Sequence, residues 1–347
     1  MKKFLYLIIF LPFLLAACDV HEWPESPESV KFHLRLKYET DMTEWHHMYD
    51  GYSVTEQGYG ETYDNYLGNG QVRYIVRAYP VVDKNRSTQE HIREFTFSKN
   101  ISDGYDHEVT LELPGGNYQL MVWSDFVKSG SQPYFHDATI FTEIVLQGDH
   151  QGNTDYRDAF RGIGNIKLVA DVVEYIPDTL DVTMQRPVAK YEFITTDLQE
   201  FIKEEIDYLS KVAASRGEEA PSRVNIEDYK VIIQYPGYMP NAFNMHLDKP
   251  VDAAENVSFE SVLDVLNDTE ASLGFDYVYA DTKQSAVTVQ IAVYDKTDRL
   301  LASSEPINVP LNRDCHTVLR GSFLVQKASG GIIIQPGFDG DHNIVIP

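Results

Sequence analysis

The sequence predicts a mainly β protein built as two β-sandwich domains in tandem, the second carrying one inserted α-helix. Three observations predict it. Short runs alternating apolar and polar residues, the period of a half-buried strand, recur between turn signals along both halves. Tyr (22), Phe (17) and Trp (3) are abundant among the 347 residues, and these rings favour pleated surfaces. One segment alone, near 197–214, has a clear helical period. The length suits two domains, and a 43% hydrophobic fraction is enough to fill their cores.

The first strand is Val30 to Tyr38, where apolar residues fall on even positions and polar ones on odd. Residues 39–70 read as a long polar loop rich in Tyr, Gly and Asp. Val72–Tyr79 and Arg93–Ser98 are the next strands. Glu108–Leu113 and Tyr118–Trp123 both alternate, and Pro114-Gly115-Gly116-Asn117 between them reads as a hairpin turn with positive φ at the glycines. Ile140–Leu146, Ile166–Ala170 and Leu180–Met184 complete a first domain over 30–185.

The pattern restarts at Arg186-Pro187-Val188, opening a second domain over 186–347. Thr196-Asp197-Leu198-Gln199 has the spacing of a capping box. Leu198, Phe201, Ile202, Leu209, Val212 and Ala213 then share one helix face, and Gly217 ends it. Strands are expected at Tyr229–Tyr235, Leu273–Ala280, Val287–Tyr294, Leu300–Ser303, Ile307–Leu311, Val318–Val325 and Gly331–Ile334. A short second helix is expected over Ser258–Leu266.

The N-terminus carries an address. Lys2 and Lys3 precede an apolar stretch from Phe4 to Leu15, too short to remain as a membrane span, which reads as a secretory signal over residues 1–17. It ends in Leu15-Ala16-Ala17-Cys18, which resembles the bacterial lipobox. Small residues suit a signal peptidase, and the Cys18 thiol accepts a lipid; the alternative is an ordinary signal peptide with an incidental cysteine. Two or more acyl chains, palmitate among them, give stable anchoring. Residues 18–29, with Pro24, Pro27 and four acidic groups, read as a tether.

Chemistry is sparse. A net charge of −24 repels phosphate backbones and excludes nucleic acid as a partner. Once Cys18 carries lipid, only Cys315 remains as a free thiol, within Asn312–Thr317, a turn between strands where a structural thiol outweighs a Cys315–His316 nucleophile. His46-His47 and Asp339-Gly340-Asp341-His342-Asn343 lack ligand sets that converge, so no metal site is assigned. The Gly58-Tyr59-Gly60 and Gly162-Ile163-Gly164 doublets have no following helix to cradle a phosphate. No catalytic residue and no cofactor beyond the Cys18 lipid is expected. The best hint of a ligand is the cluster Tyr49, Tyr52, Tyr59, Tyr63 and Tyr66, whose rings suit a glycan or a protein surface.

Taken together, the lipobox, Leu113-Pro114-Gly115-Gly116-Asn117-Tyr118 with Val122-Trp123-Ser124-Asp125, Arg186-Pro187-Val188-Ala189-Lys190-Tyr191-Glu192-Phe193, Val309-Pro310-Leu311-Asn312-Arg313 and Val318–Leu324 form an ordered set. In that order the sequence resembles the fimbrillin-like surface lipoproteins of Bacteroides-type bacteria, which build or anchor type V pili. The resemblance implies two transthyretin-like sandwiches and an outer-membrane lipoprotein whose partners are other pilus subunits or host and bacterial surface ligands. It also implies assembly by β-strand complementation, in which a protease cuts after an Arg near the first strand and a neighbour's segment fills the groove. Arg35 is the only Arg of Val30–Tyr38, and an outward-facing basic residue outweighs a processing site there. Asn343–Pro347 suits either a docked or a donated strand. Stalk, tip and anchor roles stay open, and a glycan-binding surface lipoprotein using the clustered tyrosines is the alternative.

Overall fold

In a computed structural model, which describes residues 28–38, 45–49 and 52–57 (these two as backbone), 70–83, 86–104, 106–128, 134–170, 178–283 and 285–325, the alternating runs are strands. β1 (Ser29–Tyr38) lies between β7 (His107–Pro114), antiparallel to it, and β12 (Asp178–Met184), parallel to it. Across the core, β4 (Gly70–Asp83) and β8 (Gly116–Lys128) pair at the centre of a second sheet. β11 (Ala159–Leu168) flanks β8, while β6 (Arg93–Asn100) and the short β5 (Arg86–Ser87) flank β4. Phe32, Leu34, Tyr74, Val76, Leu120 and Val122 fill the space between the two sheets, as alternation at period two requires.

The second sandwich has β13 (Val188–Thr195) between antiparallel β17 (Ala271–Tyr279) and parallel β21 (His316–Gly321), with β16 (Asp264–Val265) outside β17. Its facing sheet is built on β14 (Tyr229–Asn244), flanked by β15 (Lys249–Val262) on one edge and β18 (Ser285–Asp295) on the other. β19 (Leu300–Ser303) and β20 (Ile307–Leu311) both pair with β18. The helix α1 spans Leu198–Arg216, buries Leu198, Phe201 and Ala213, and ends on Gly217 at φ 70°, a left-handed position that suits glycine. The two cores draw their fully buried members from either side of residue 185. Backbone pairing does not respect that division. β2 (Trp45–Tyr49) and β3 (Tyr52–Gln57) extend the second sandwich through β21, while β9 (His136–Asp137) and β10 (Ile144–Leu146) join β14.

Five expectations are corrected. β7 and β8 are not a hairpin: they lie in opposite sheets and face each other across one core, and alternation reports burial without naming the pairing partner. Gly115 and Gly116 are not among the positive-φ residues; Gly116 instead leaves room for the Tyr118 ring, whose hydroxyl donates to the Pro114 carbonyl at 3.0 Å. Residues 258–266 form strands, because Phe259, Ser261 and Leu263 alternate inward. The loop over 39–70 contains β2 and β3, with Tyr49 paired to Tyr52. Asp50-Gly51 between them is the two-residue hairpin signal. The helix has Asp197, not Thr196, as its N-cap, without a side-chain capping bond. Residues 331–334 and 343–347 lie outside the described residues.

Gly162 and Gly164 let β11 close against β12. A Cβ at Gly162 would stand 2.5 Å from Val182 Cγ1, 2.7 Å from Met184 Sδ and 3.0 Å from the Thr183 carbonyl. Gly162→Ala is expected to destabilise the fold by about 1–3 kcal/mol through overpacking, read as a lower urea midpoint at unchanged slope.

Candidate functional site

Two places combine chemistry with position. The first is β1. Val30, Phe32, Leu34 and Leu36 point into the core, the last three with no exposure, and the odd residues point out. Arg35 is outward and about 40% exposed, as its alternation predicts. Its guanidinium donates to Glu108 of β7 and Asp181 of β12, each at 3.2 Å. Lys37 Nζ reaches Asp181 at 2.7 Å, and this hydrogen bond, foremost, holds Asp181 below the usual carboxylate value. At the strand's end the Tyr38 hydroxyl lies 2.8 Å from Ser124 Oγ, and its ring meets Phe160 edge-on at 4.6 Å. Burial pushes that phenol well above its ordinary value. Exposed ion pairs of this kind contribute about 0–1 kcal/mol each, so the apolar row and two backbone ladders hold β1 while its charges fix the register.

The second is the seam between the sandwiches. The outer face of the β4–β8 sheet presents Ile75, Tyr79, Met121 and Trp123 to Phe243, Met245, Tyr277 and Tyr279, forming a third apolar core. Beside it lies a buried polar network. Asp276 accepts from His150 Nε2 at 2.7 Å and from the Tyr235 hydroxyl at 2.5 Å, with Arg157 Nε at 3.3 Å. Burial pushes its carboxyl up, but Arg157 and His150 prevail and hold it below the ordinary value. Asp155 takes Lys190 Nζ at 2.9 Å and the Tyr277 hydroxyl at 2.6 Å, and Arg186 donates to Asp158 at 2.9 Å. Asp248, at the tip between β14 and β15, pairs with Arg161 of β11 and with Arg313 of the β20–β21 turn. Each carboxylate is thus paired to a cation, and several of these pairs cross from one sandwich to the other.

His136 shows how the seam selects a protonation state. Its Nε2 lies 3.0 Å from the Arg157 carbonyl and so donates. Burial pulls the pKa of the ring down to about 3, so it is neutral and its Nδ1 accepts from the Tyr279 hydroxyl at 2.7 Å. Such an arrangement clamps surfaces together. It offers no exposed base beside a nucleophile. Cys315 sits in the expected turn, its amide donating to the Asn312 carbonyl, while the neighbouring His316 faces Glu192 at 3.1 Å. Among the described residues no three His, Cys, Asp or Glu side chains gather to hold a metal.

Of the residues singled out by sequence, Tyr49 and Tyr52 are backbone partners, the last pair of the β2–β3 ladder. Tyr59, Tyr63, Tyr66 and Cys18 lie outside the described residues. Sequence reasoning missed Arg157, Asp155, Lys190 and Asp276. A signal for two of them existed. Lys190 sits in Val188-Ala189-Lys190-Tyr191 and Asp276 in Phe275-Asp276-Tyr277-Val278, runs apolar on both faces, where a charge must find a buried partner.

A family model described as a family of unknown function (DUF6562) matches residues 27–347. The chain belongs to that family. The match begins at residue 27, within the segment read as tether. None of the curated proteins is similar to the chain at a significant level. Similar solved structures include the fimbrial anchor protein Mfa2 from Porphyromonas gingivalis, at 12% identity over 79% of this chain and 82% of that one, with a TM-score of 0.40. The tip fimbrial protein Mfa3 of the same organism, truncated at its C-terminus, is 11% identical over 86% and 97%, at 0.40. A fimbrial assembly protein from Parabacteroides distasonis is 12% identical over 87% and 94%, at 0.39.

Two outcomes follow from the seam. Asp276→Ala leaves Arg157 buried without its partner and is expected to cost about 3–5 kcal/mol in denaturant unfolding. His136 carries its proton in the unfolded chain below about pH 6.5 but not in the folded one until about 3, so its contribution is complete above 6.5 and is lost as pH falls through that window. Stability is expected to fall about 1.4 kcal/mol per pH unit more steeply there in the wild type than in His136→Gln. The His136 ring resonance should not titrate between pH 8 and 5.

Proposed function

We propose that the chain is a non-catalytic cell-surface protein of the fimbrial and adhesive kind, held at the outer membrane by lipid on Cys18 and joined to neighbouring subunits by strand complementation. One observation carries the reading. β1 is paired along both edges, with β7 and with β12, and drops alternate apolar side chains into the core. Taking it away would leave two unpaired edges and a row of empty apolar sites, which an extended donor of the same alternation would fill. The lipobox and tether supply the attachment, and the acidic chain keeps the displayed surface soluble.

Arg35 has a place in this reading. Its peptide lies inside both ladders and its side chain spans two carboxylates, so a protease reaches it only before β1 has docked or after it has been drawn out. A glycan-binding role for the 49–66 tyrosines gains no support from the paired backbone of Tyr49 and Tyr52 alone.

The test uses a chain lacking residues 29–38. It is expected to lose near-UV circular dichroism and to regain it when a synthetic 28–38 peptide is added, whereas a Leu34→Glu peptide fails. A truncated chain as stable as the parent would end the strand-complementation reading. Cys18→Ala should move the protein from the outer-membrane to the soluble fraction, and mass analysis of the parent N-terminus should find a lipidated Cys18.

A further inference from the structure

We infer that the cleft between Tyr134 and the 147–156 segment is a binding site for a neutral saccharide. The inference deepens the surface reading by naming a ligand class for a protein proposed to face other surfaces, but the site stands on its own geometry. The cleft measures about 380 Å³, within the range of small-ligand sites. Tyr134, Phe135 and Tyr156 give it aromatic walls, and Lys128, Gln147, Asp149 and Gln151 give it polar groups. A sugar ring presents C–H faces beside vicinal hydroxyls. Rigid amphipathic rings next to amides and a carboxylate match that pattern, since an amide both donates and accepts and a carboxylate accepts twice.

The walls are held from both sandwiches, so little ordering is left for a ligand to cause. The Tyr134 ring carries the Arg73 guanidinium at 3.9 Å, and Arg73 is in turn locked to Asp125. Gln147 donates from its backbone to the Phe135 carbonyl at 3.0 Å and from its amide to the Tyr134 carbonyl at 2.6 Å. At the other end, a Cβ on Gly152 would stand 2.2 Å from the Phe259 ring, so the loop backbone lies flat on β15. Asn153, in a left-handed conformation at φ 54°, donates to Ser261 Oγ and exchanges two hydrogen bonds with Phe275 of β17. Arg157 of the seam network holds the Gln151 carbonyl at 3.2 Å. The lining loop is thus tied to the clamp through its backbone, and preorganisation of this kind favours affinity without large buried area.

Charge and polarity narrow the ligand. Asp149 and Lys128 both line the cleft and offset each other, so it has no net local charge to draw a sulfated or uronic-acid polymer, and the chain as a whole stands at −24. A wholly apolar ligand would strip water from Gln147, Asp149 and Gln151 without replacing their hydrogen bonds. A neutral polyol satisfies both conditions.

The test titrates the full chain with maltohexaose, cellohexaose, chitohexaose and mannohexaose, and with a heparin hexasaccharide as the anionic control, by calorimetry and saturation-transfer NMR. Asp149→Ala/Gln151→Ala removes two exposed side chains that carry no part of the fold, and its melting temperature should equal the parent's. At least one neutral hexasaccharide should saturate, with transfer to the Tyr134 and Tyr156 rings, and the double variant should weaken it about tenfold or more. Absence of binding by all four, tighter binding of heparin, or undiminished binding by the double variant would overturn the inference. Saccharide binding by a chain never found at the cell surface would sink the surface reading and leave the cleft standing; surface display without binding would do the reverse.

Discussion

β1 is hydrogen-bonded along both edges and sends Phe32, Leu34 and Leu36 into a core where none is exposed. Burying each such side chain is worth about 1.5–3 kcal/mol, against about 0–1 kcal/mol for each exposed ion pair on the opposite face. Burial therefore decides that β1 stays, and the charges decide where. A slip of one residue would turn Lys31, His33, Arg35 and Lys37 inward and separate Arg35 from Glu108 and Asp181. The pairing is also remote in sequence: the Arg35–Asp181 contact spans 146 positions. Closing so long a loop is costly until the rest of the sandwich has formed.

The seam solves a different problem. Two sandwiches in series hinge unless something fixes their mutual register, and an apolar seam alone is tolerant of sliding. Arg157, Asp276, His150 and Tyr235 are not tolerant, because each hydrogen bond has one geometry and a misplaced buried charge is expensive. A buried ion pair is weak evidence of extra stability, since its desolvation offsets its attraction. Its effect here is on orientation. The same clamp presents Gln151 and Tyr156 at the rim of the cleft, so rigidity made inside the seam is used at the surface.

Alternation in the sequence located most of the long described strands, though not β15, because period two follows from one buried face and needs no knowledge of partners. The same property explains the failures. Glu108–Leu113 and Tyr118–Trp123 alternate against one core from opposite sheets, which a local pattern reads equally well as a hairpin. Asp50-Gly51 is a hairpin signal in the sequence, but its polar, Tyr-rich surroundings read as loop, and the β21 edge that β3 completes is remote in sequence. The seam was the least legible part. His150 and Asp276 meet across 126 positions, and no spacing encodes that. The capping box failed because Asp197 has other duties. Its carboxylate accepts the Leu324 and Val325 amides and a hydrogen bond from Thr195, tying the chain leaving β21 to the start of α1.

If backbone edges are how such a chain meets its neighbours, the edges it leaves open must not pair indiscriminately. Among the described residues β15 pairs with β14 alone over 14 residues, a long edge of the kind that aggregates. Its sequence blunts it: Pro250 removes a donor, Asn256 at φ 56° breaks the extended run, and Asp252, Glu255 and Glu260 crowd it with charge. β6 does the same with Arg93, Glu94 and Lys99. At physiological salt, charges are screened beyond about 8 Å, so the overall acidity of the chain acts mainly at contact, where an approaching strand would have to lie against those carboxylates. The β1 position differs on each count: its inward side chains are apolar, its pairing is unbroken on both sides, and its outward charges find opposite charges waiting on β7 and β12. Selectivity for one strand in one slot then follows from the contrast between a prepared site and defended edges, without requiring any general attraction between the chains.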